Sequence, residues 1–226
     1  GMPAARLANM RNHIETCRGL WNRETVPYSE GDRDRQIRFL NPDGPFINLD
    51  ENIPVHIAGS GPKTLQLAGE IGDGVILFGT VGDGLLEYAL GHIRKGAERA
   101  GKRFEDMYIN VSTAVHFQKP EERLADLQAV VGPLVVSECN IFALSVKDPM
   151  ELPEDIRHQI LAFKDAYRTE NAPIETRHLD LYTDYCAEFK PEHESLVTEQ
   201  MIKETTLTGT VEEIRERIAA MDYAMT

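Results

Sequence analysis

The segment from Pro54 to Gly79, PVHIAGSGPKTLQLAGEIGDGVILFG, leaves this chain few folds to choose from. Pro54–Ala58 is a short apolar run bounded by Pro and Gly, as a buried strand is. Gly59-Ser60-Gly61-Pro62 reads as a turn, and Pro62 suits the first position of a helix. Leu65, Ala68 and Ile71 then recur at helical spacing. Gly72-Asp73-Gly74 ends that helix, and Val75–Phe78 is a second continuous apolar run. Two buried strands joined by one short helix form a parallel βαβ crossover. The expected class is α/β.

A crossover of this kind sets the first amides of a helix beside the carboxyl end of a strand. Those amides lack partners within the helix, and the helix dipole adds partial positive charge, so the position attracts phosphate. Gly59 and Gly61 keep side chains out of the way. Spacing alone leaves a plain alternative, a tight strand-to-helix turn with no ligand.

The rest of the chain can be read around that unit. Residues 3–23 suggest a helix with Leu7, Met10, Ile14, Cys17 and Leu20–Trp21 on one face. Thr25–Asn52 reads as an irregular surface connection, and its Arg33, Arg35 and Arg38 interleave with acids as a solvated face. Leu85–Gly101 is expected to be a helix, with Leu86, Leu90 and Ile93 facing inward and Gly101 following its end. Tyr108–Phe117 (YINVSTAVHF) alternates as a single strand. One row holds Ile109, Val111, Thr113, Val115 and Phe117, and the other Tyr108, Asn110, Ser112, Ala114 and His116. The polar row is expected to point inward, with His116 at the carboxyl end. Pro120–Val131 reads as a helix interrupted at Gly132-Pro133, and Leu134–Val146 as an apolar run of undecided type. Pro153–Tyr167 is an amphipathic helix, Thr169–Glu188 a polar excursion, and Thr210 with Glu213 a capping box for the last helix.

Composition sets outer bounds. A chain of 226 residues is long enough for one sizeable domain. The net charge of −13 argues against binding nucleic acid or an anionic membrane. No run approaches the roughly 20 apolar residues of a spanning helix. Cys17, Cys139 and Cys186 are scattered and odd in number, which fits a reducing cytoplasm. Cys139 reads as a buried structural thiol. His56, placed near the carboxyl end of its strand, and His116 are candidate pocket residues, each weighed against a histidine bonded to a neighbouring backbone carbonyl. Neither sits in a metal-ligand spacing, so no metal is expected.

Ile53–Gly61 (IPVHIAGSG), Pro62–Gly69 (PKTLQLAG), Asp73–Gly79 (DGVILFG) and Thr206–Ile218 (TLTGTVEEIRERI) resemble the bacterial-luciferase-like superfamily. The resemblance is to its deazaflavin-dependent branch, the methylenetetrahydromethanopterin-reductase-like enzymes. It implies a (β/α)8 TIM barrel that forms a single domain over residues 1–226 and lacks the first strands. It also implies an oxidoreductase or monooxygenase that binds FMN or a deazaflavin. Carried onto this chain, Ala58, Gly59, Ser60 and Gly61 hold the cofactor phosphate, and Gly79 and Thr80 lie alongside the cofactor. No catalytic side chain is assigned. The alternative is a truncated, non-catalytic relative that binds a flavin or plays a structural part. In either case an open half-barrel would expose strand edges, so self-association into a homo-oligomer is expected.

Overall fold

The computed structural model describes residues 6–167, 173, 175–176, 178–179 and 185–225. The chain forms two compact units, one holding Ala4–Val55 and the other His56–Thr226. In the first unit, helix α1 (Leu7–Trp21) is followed by strands β1 (Val26–Glu30) and β2 (Arg33–Ile37), paired antiparallel. The stretch read from sequence as irregular thus contains a hairpin. Gly31 supplies a φ of +59° at the first central position of its two-residue turn. The sequence masked the hairpin because β2 (RDRQI) is almost wholly polar and exposed, so it lacks the apolar alternation of a half-buried strand.

The second unit is built on parallel strands. β3 (His56–Ala58), β4 (Gly74–Phe78) and β5 (Tyr108–Ser112) pair in that order. Helix α2 (Pro62–Ile71) crosses from β3 to β4, and α3 (Asp83–Arg99) crosses from β4 to β5. Beyond β5 the strand resumes as β6 (Val115–Phe117), which pairs parallel with β7 (Leu207–Gly209). Between β6 and β7 run α4 (Leu124–Ser145), α5 (Glu154–Tyr167) and α6 (Glu199–Thr205), and α7 (Val211–Met225) follows β7. Ile57, Val75 and Leu77 are buried on the helix side, together with Leu65, Leu86, Leu90 and Ile93 of α2 and α3. Ile156, Ile160 and Phe163 of α5 are buried as their spacing predicts.

Three expectations are corrected. First, Tyr108–Phe117 is not one continuous strand. Tyr108 and Asn110 are exposed in β5, whereas Val115 and Phe117 are exposed in β6. The in–out phase therefore changes across Thr113–Ala114, as it does where a bulge adds a residue. Second, α4 runs unbroken through Gly132-Pro133. Proline removes one helical hydrogen bond, but the helix around it is mostly buried, and the Ser137 hydroxyl donates to the Pro133 carbonyl at 2.9 Å. Third, α4 has the length and mean hydropathy, 1.6 over its most apolar window, of a membrane-crossing helix. That window is 67% buried within the protein, so its apolar surface already has partners. Most of Thr169–Glu188 lies outside the described residues.

Helices α2 and α3 approach until backbone meets backbone. A Cβ on Gly96 would lie 1.9 Å from the Gln66 carbonyl oxygen, while one on Gly91 would meet nothing within 4 Å. Gly96→Ala is therefore expected to lower stability by about 1–3 kcal/mol through overpacking. Gly91→Ala should raise it by roughly 0.5–1 kcal/mol, because alanine is the better helix former. Urea unfolding of both variants checks this, and equal effects would contradict the packing.

Candidate functional site

The carboxyl ends of β3 and β4 lie side by side, with Ala58 opposite Ile76 in the parallel ladder. After β3 the chain turns through Gly59-Ser60-Gly61, and the Gly59 amide donates to the Ile76 carbonyl at 3.3 Å. Pro62 then opens α2 at its first position. The first turn of α2 contains Lys63 and no acid, and among the described residues no side chain caps it. Its first amides have no partner within the helix. After β4, Gly79 adopts a φ of +54° and donates its amide to the Ser112 carbonyl at 2.9 Å. Thr80 is buried, its hydroxyl donating to the Phe78 carbonyl at 3.0 Å. The structure thus brings Ala58, Gly59, Ser60, Gly61, Gly79 and Thr80 to one end of the sheet, on two adjacent turns.

The starts of α3 and α7 are closed by the protein's own groups. At α3, the Val81 and Gly82 amides donate to the Glu204 carbonyl at 3.1 and 2.9 Å, and the Leu85 amide donates to Glu204 Oε2 at 3.3 Å. Burial raises the Glu204 carboxyl above its ordinary range, and the Leu85 amide pulls it back. At α7, the expected capping box is present. The Thr210 amide donates to Glu213 Oε2 at 2.7 Å, and the Glu213 amide donates to the Thr210 hydroxyl at 3.2 Å.

The two histidines lie apart from the glycine turns. His56 does not end its strand, as its neighbours suggested. It begins it, because Pro54 lacks the N–H a ladder needs and pairing starts only at His56. There its ring stacks on Tyr108 at 5.1 Å, across Gly74 of the intervening strand. His116 is turned out of the inward row by the phase change before β6, and its Nε2 lies 3.1 Å from Glu122 Oε2. The Lys119 amide and His116 together hold the Glu122 carboxyl below its ordinary value. A groove of about 360 Å³ beside this pair is lined by Glu122, Arg123, Lys203, Thr208 and Glu213 among others. It carries both signs of charge.

Sequence reasoning missed the helix that touches both turns. A Cβ on Gly79 would lie 2.5 Å from Glu138 Cγ, and one on Gly61 would lie 3.1 Å from Ser145 Cβ. α4 therefore passes both strand ends, with Glu138 and Ser145 two helical turns apart on one face. Glu138 is 1% exposed. Its Oε1 accepts from the Tyr185 hydroxyl at 3.4 Å, and its Oε2 is buried without a hydrogen-bond partner. One signal was available: Glu138 is the single charged residue between Leu127 and Val146, and a lone acid in so apolar a run is seldom buried without a role. Cys139, next to it, is fully buried, and burial pushes its thiol well above the ordinary value.

Parallel strands joined by helical crossovers, with glycine turns at their carboxyl ends, define an α/β domain. More specifically, the chain belongs to the luciferase-like monooxygenase family, whose model matches residues 2–226. It is 30% identical over 141 residues to an F420-dependent glucose-6-phosphate dehydrogenase of Kribbella flavida, covering 57% of this chain and 37% of that protein. A namesake from Amycolatopsis mediterranei is 28% identical over 149 residues, 65% of this chain and 43% of the relative. The 5,10-methylenetetrahydromethanopterin reductase of Archaeoglobus fulgidus is 28% identical over 132 residues, 58% and 37% of the two chains. The chain thus spans about two-fifths of the length of these relatives. Among solved structures, the coenzyme F420-dependent tetrahydromethanopterin reductase of Methanopyrus kandleri is similar in fold. Its TM-score is 0.50 at 21% identity, covering 95% of this chain and 54% of that one. An F420-dependent secondary alcohol dehydrogenase gives 0.52 at 18% identity, covering 99% and 56%. The fold is of the luciferase-like, TIM-barrel type.

Burial moves the Glu138 carboxyl from its ordinary 4.5 up to about 7. Between those values the unfolded chain is ionised there and the folded chain is not. Stability is therefore greatest below the unfolded value, falls as pH rises towards 7, and levels off above it. The loss is on the order of 3 kcal/mol for a shift of this size. Glu138→Gln should remove that slope, so unfolding midpoints at pH 4.5 and 8 should differ less in the variant. Parallel profiles would place the charge effect elsewhere.

Proposed function

We propose that this chain binds a deazaflavin of the coenzyme F420 kind and serves a hydride-transfer oxidoreductase. The observation that carries the reading is the pair of glycine turns, Gly59–Gly61 and Gly79–Thr80, at adjacent carboxyl strand ends. The first of them opens a helix whose first turn holds Lys63 and no acid. The residues fit such a ligand. A side chain at Gly59 would collide with Thr64, its Cβ lying 2.4 Å from Thr64 Cγ2, and one at Gly79 would collide with Glu138. Both glycines thus answer to close packing within the protein, and the fit to an anionic ligand rests on the uncapped first turn of α2 with its Lys63. When bound, a deazaflavin supplies the hydride chemistry, and the protein's part is to bind, orient and exclude water. The first amides of α2, with Gly59 and Gly61, hold the phosphate. Gly79 and Thr80 lie along the cofactor, and α4 closes the site from behind. The names of the curated relatives favour a deazaflavin over FMN.

Self-association belongs to the same reading. Tyr108 of β5 and Val115 and Phe117 of β6 are 54–59% exposed, and a second copy would cover that surface. Light scattering at micromolar concentration is expected to report an oligomer, and a monodisperse monomer would contradict it.

Calorimetric titration tests the cofactor. Coenzyme F420 should bind, with FMN weaker. Gly61→Val, which crowds both the phosphate position and Ser145, should raise the Kd for F420 about tenfold, or about 1.4 kcal/mol. Unchanged affinity in a folded variant would overturn the phosphate assignment.

A further inference from the structure

We propose that Glu138 is a proton-linked positioning residue of this site: as a neutral acid it lets an anionic ligand settle on the Gly79–Thr80 turn, and its ionisation drives that ligand off. The inference rests on the deazaflavin reading and adds to it the group that makes binding depend on pH.

The geometry comes first. Glu138 Cγ lies directly against Gly79, and Gly79, at a φ of +54°, has no side chain to stand between the carboxyl group and the turn. Seven residues on, Ser145 abuts Gly61, so one face of α4 backs both turns. A charge on Glu138 therefore lies directly behind the Gly79–Thr80 turn, on the helix face that also backs Gly61.

Among the described residues, no cation faces that charge. Facing Glu138 are the Tyr185 hydroxyl and the Cys186 thiol from the chain beyond α5. Cys139 and the Ser137 hydroxyl sit beside it on α4, and Ser137 is already accepting the Cys186 amide at 2.8 Å. Glu204 of α6 acts on the neighbouring Cys139 thiol and adds negative charge. None of these groups is a cation. Among the described residues one carboxyl oxygen has the hydroxyl of Tyr185 and the other has no hydrogen-bond partner. An ionised Glu138 is therefore a buried anion with no compensating cation among the described residues, a costly state for a carboxylate. A phosphate-bearing ligand brings a second negative charge to the same rim, where the low dielectric strengthens the repulsion.

The sign follows from linkage. The ligand favours protonated Glu138, so ligand binding raises the proton affinity of Glu138 and the proton raises ligand affinity by the same factor. Affinity is full below the carboxyl's value in the ligand-free protein, about 7. Above it, affinity falls until the group also ionises in the complex.

The test titrates coenzyme F420 into the protein and into Glu138→Gln at pH 6, 7 and 8 at constant ionic strength. The Kd of the unaltered protein should rise about tenfold from pH 6 to 8, while that of the variant stays within about twofold. The variant shares any titration of the ligand itself, so equal slopes would overturn the inference while leaving the deazaflavin site intact. Absence of F420 binding to either protein would overturn the proposed function, and the inference with it. Should the variant not fold, calorimetry of the unaltered protein in two buffers of different ionisation heat decides the matter. About half a proton should be taken up per F420 bound near pH 7, and zero uptake would contradict the linkage.

Discussion

The site depends on one helix resting against two glycine turns. α4 places Glu138 on Gly79 and Ser145 on Gly61, and in both places the absence of a Cβ sets the distance. Packing of this kind fixes the turns more firmly than loop hydrogen bonds do, because interiors are close-packed and transmit small displacements. It also explains why α4 is apolar nearly all round and still belongs to a globular fold. Its surface is taken up by α5 and α6 and by the chain that returns at Phe189 against Gly132.

The helix starts of this unit handle their unpaired amides differently. α3 is closed by Glu204 and α7 by Glu213, each a carboxylate from the protein itself. At α2 the first-turn side chain is Lys63. Of these three starts, the one at the end of β3 is left without a carboxylate, and the turn after β4 lies next to it. On the proposed reading, backbone there holds an anionic cofactor and the cofactor carries the reaction.

The βαβ unit was legible from the sequence because Pro54, the Gly59–Pro62 turn and Gly72–Gly74 punctuate it at each boundary. So was the end of α3. Gly101 adopts a φ of +64°, and the Lys102 and Gly101 amides close onto Ala97 and Glu98, as a Schellman cap requires. The Thr210–Glu213 box was legible for the same reason: these are local rules with fixed spacings. What was not legible is tertiary. Gly132-Pro133 signals a break, yet packing on several sides carries α4 through it. The phase change at Thr113–Ala114 depends on how β5 and β6 pair with different neighbours, so His116 could not be assigned a face from alternation. The place of Glu138 behind Gly79 joins residues 59 positions apart in the chain. No pattern in either segment announces it, beyond the oddity of one acid in an apolar run.

The most direct measurement is amide chemical-shift mapping of the labelled protein during titration with coenzyme F420. The account predicts that the amides of Gly59 to Thr64 and of Gly79 to Val81 move together and saturate at one ligand per chain, with α4 around Glu138 and Ser145 following them. Shifts confined to the groove between α4, α6 and α7, with the two glycine turns unmoved, would contradict it.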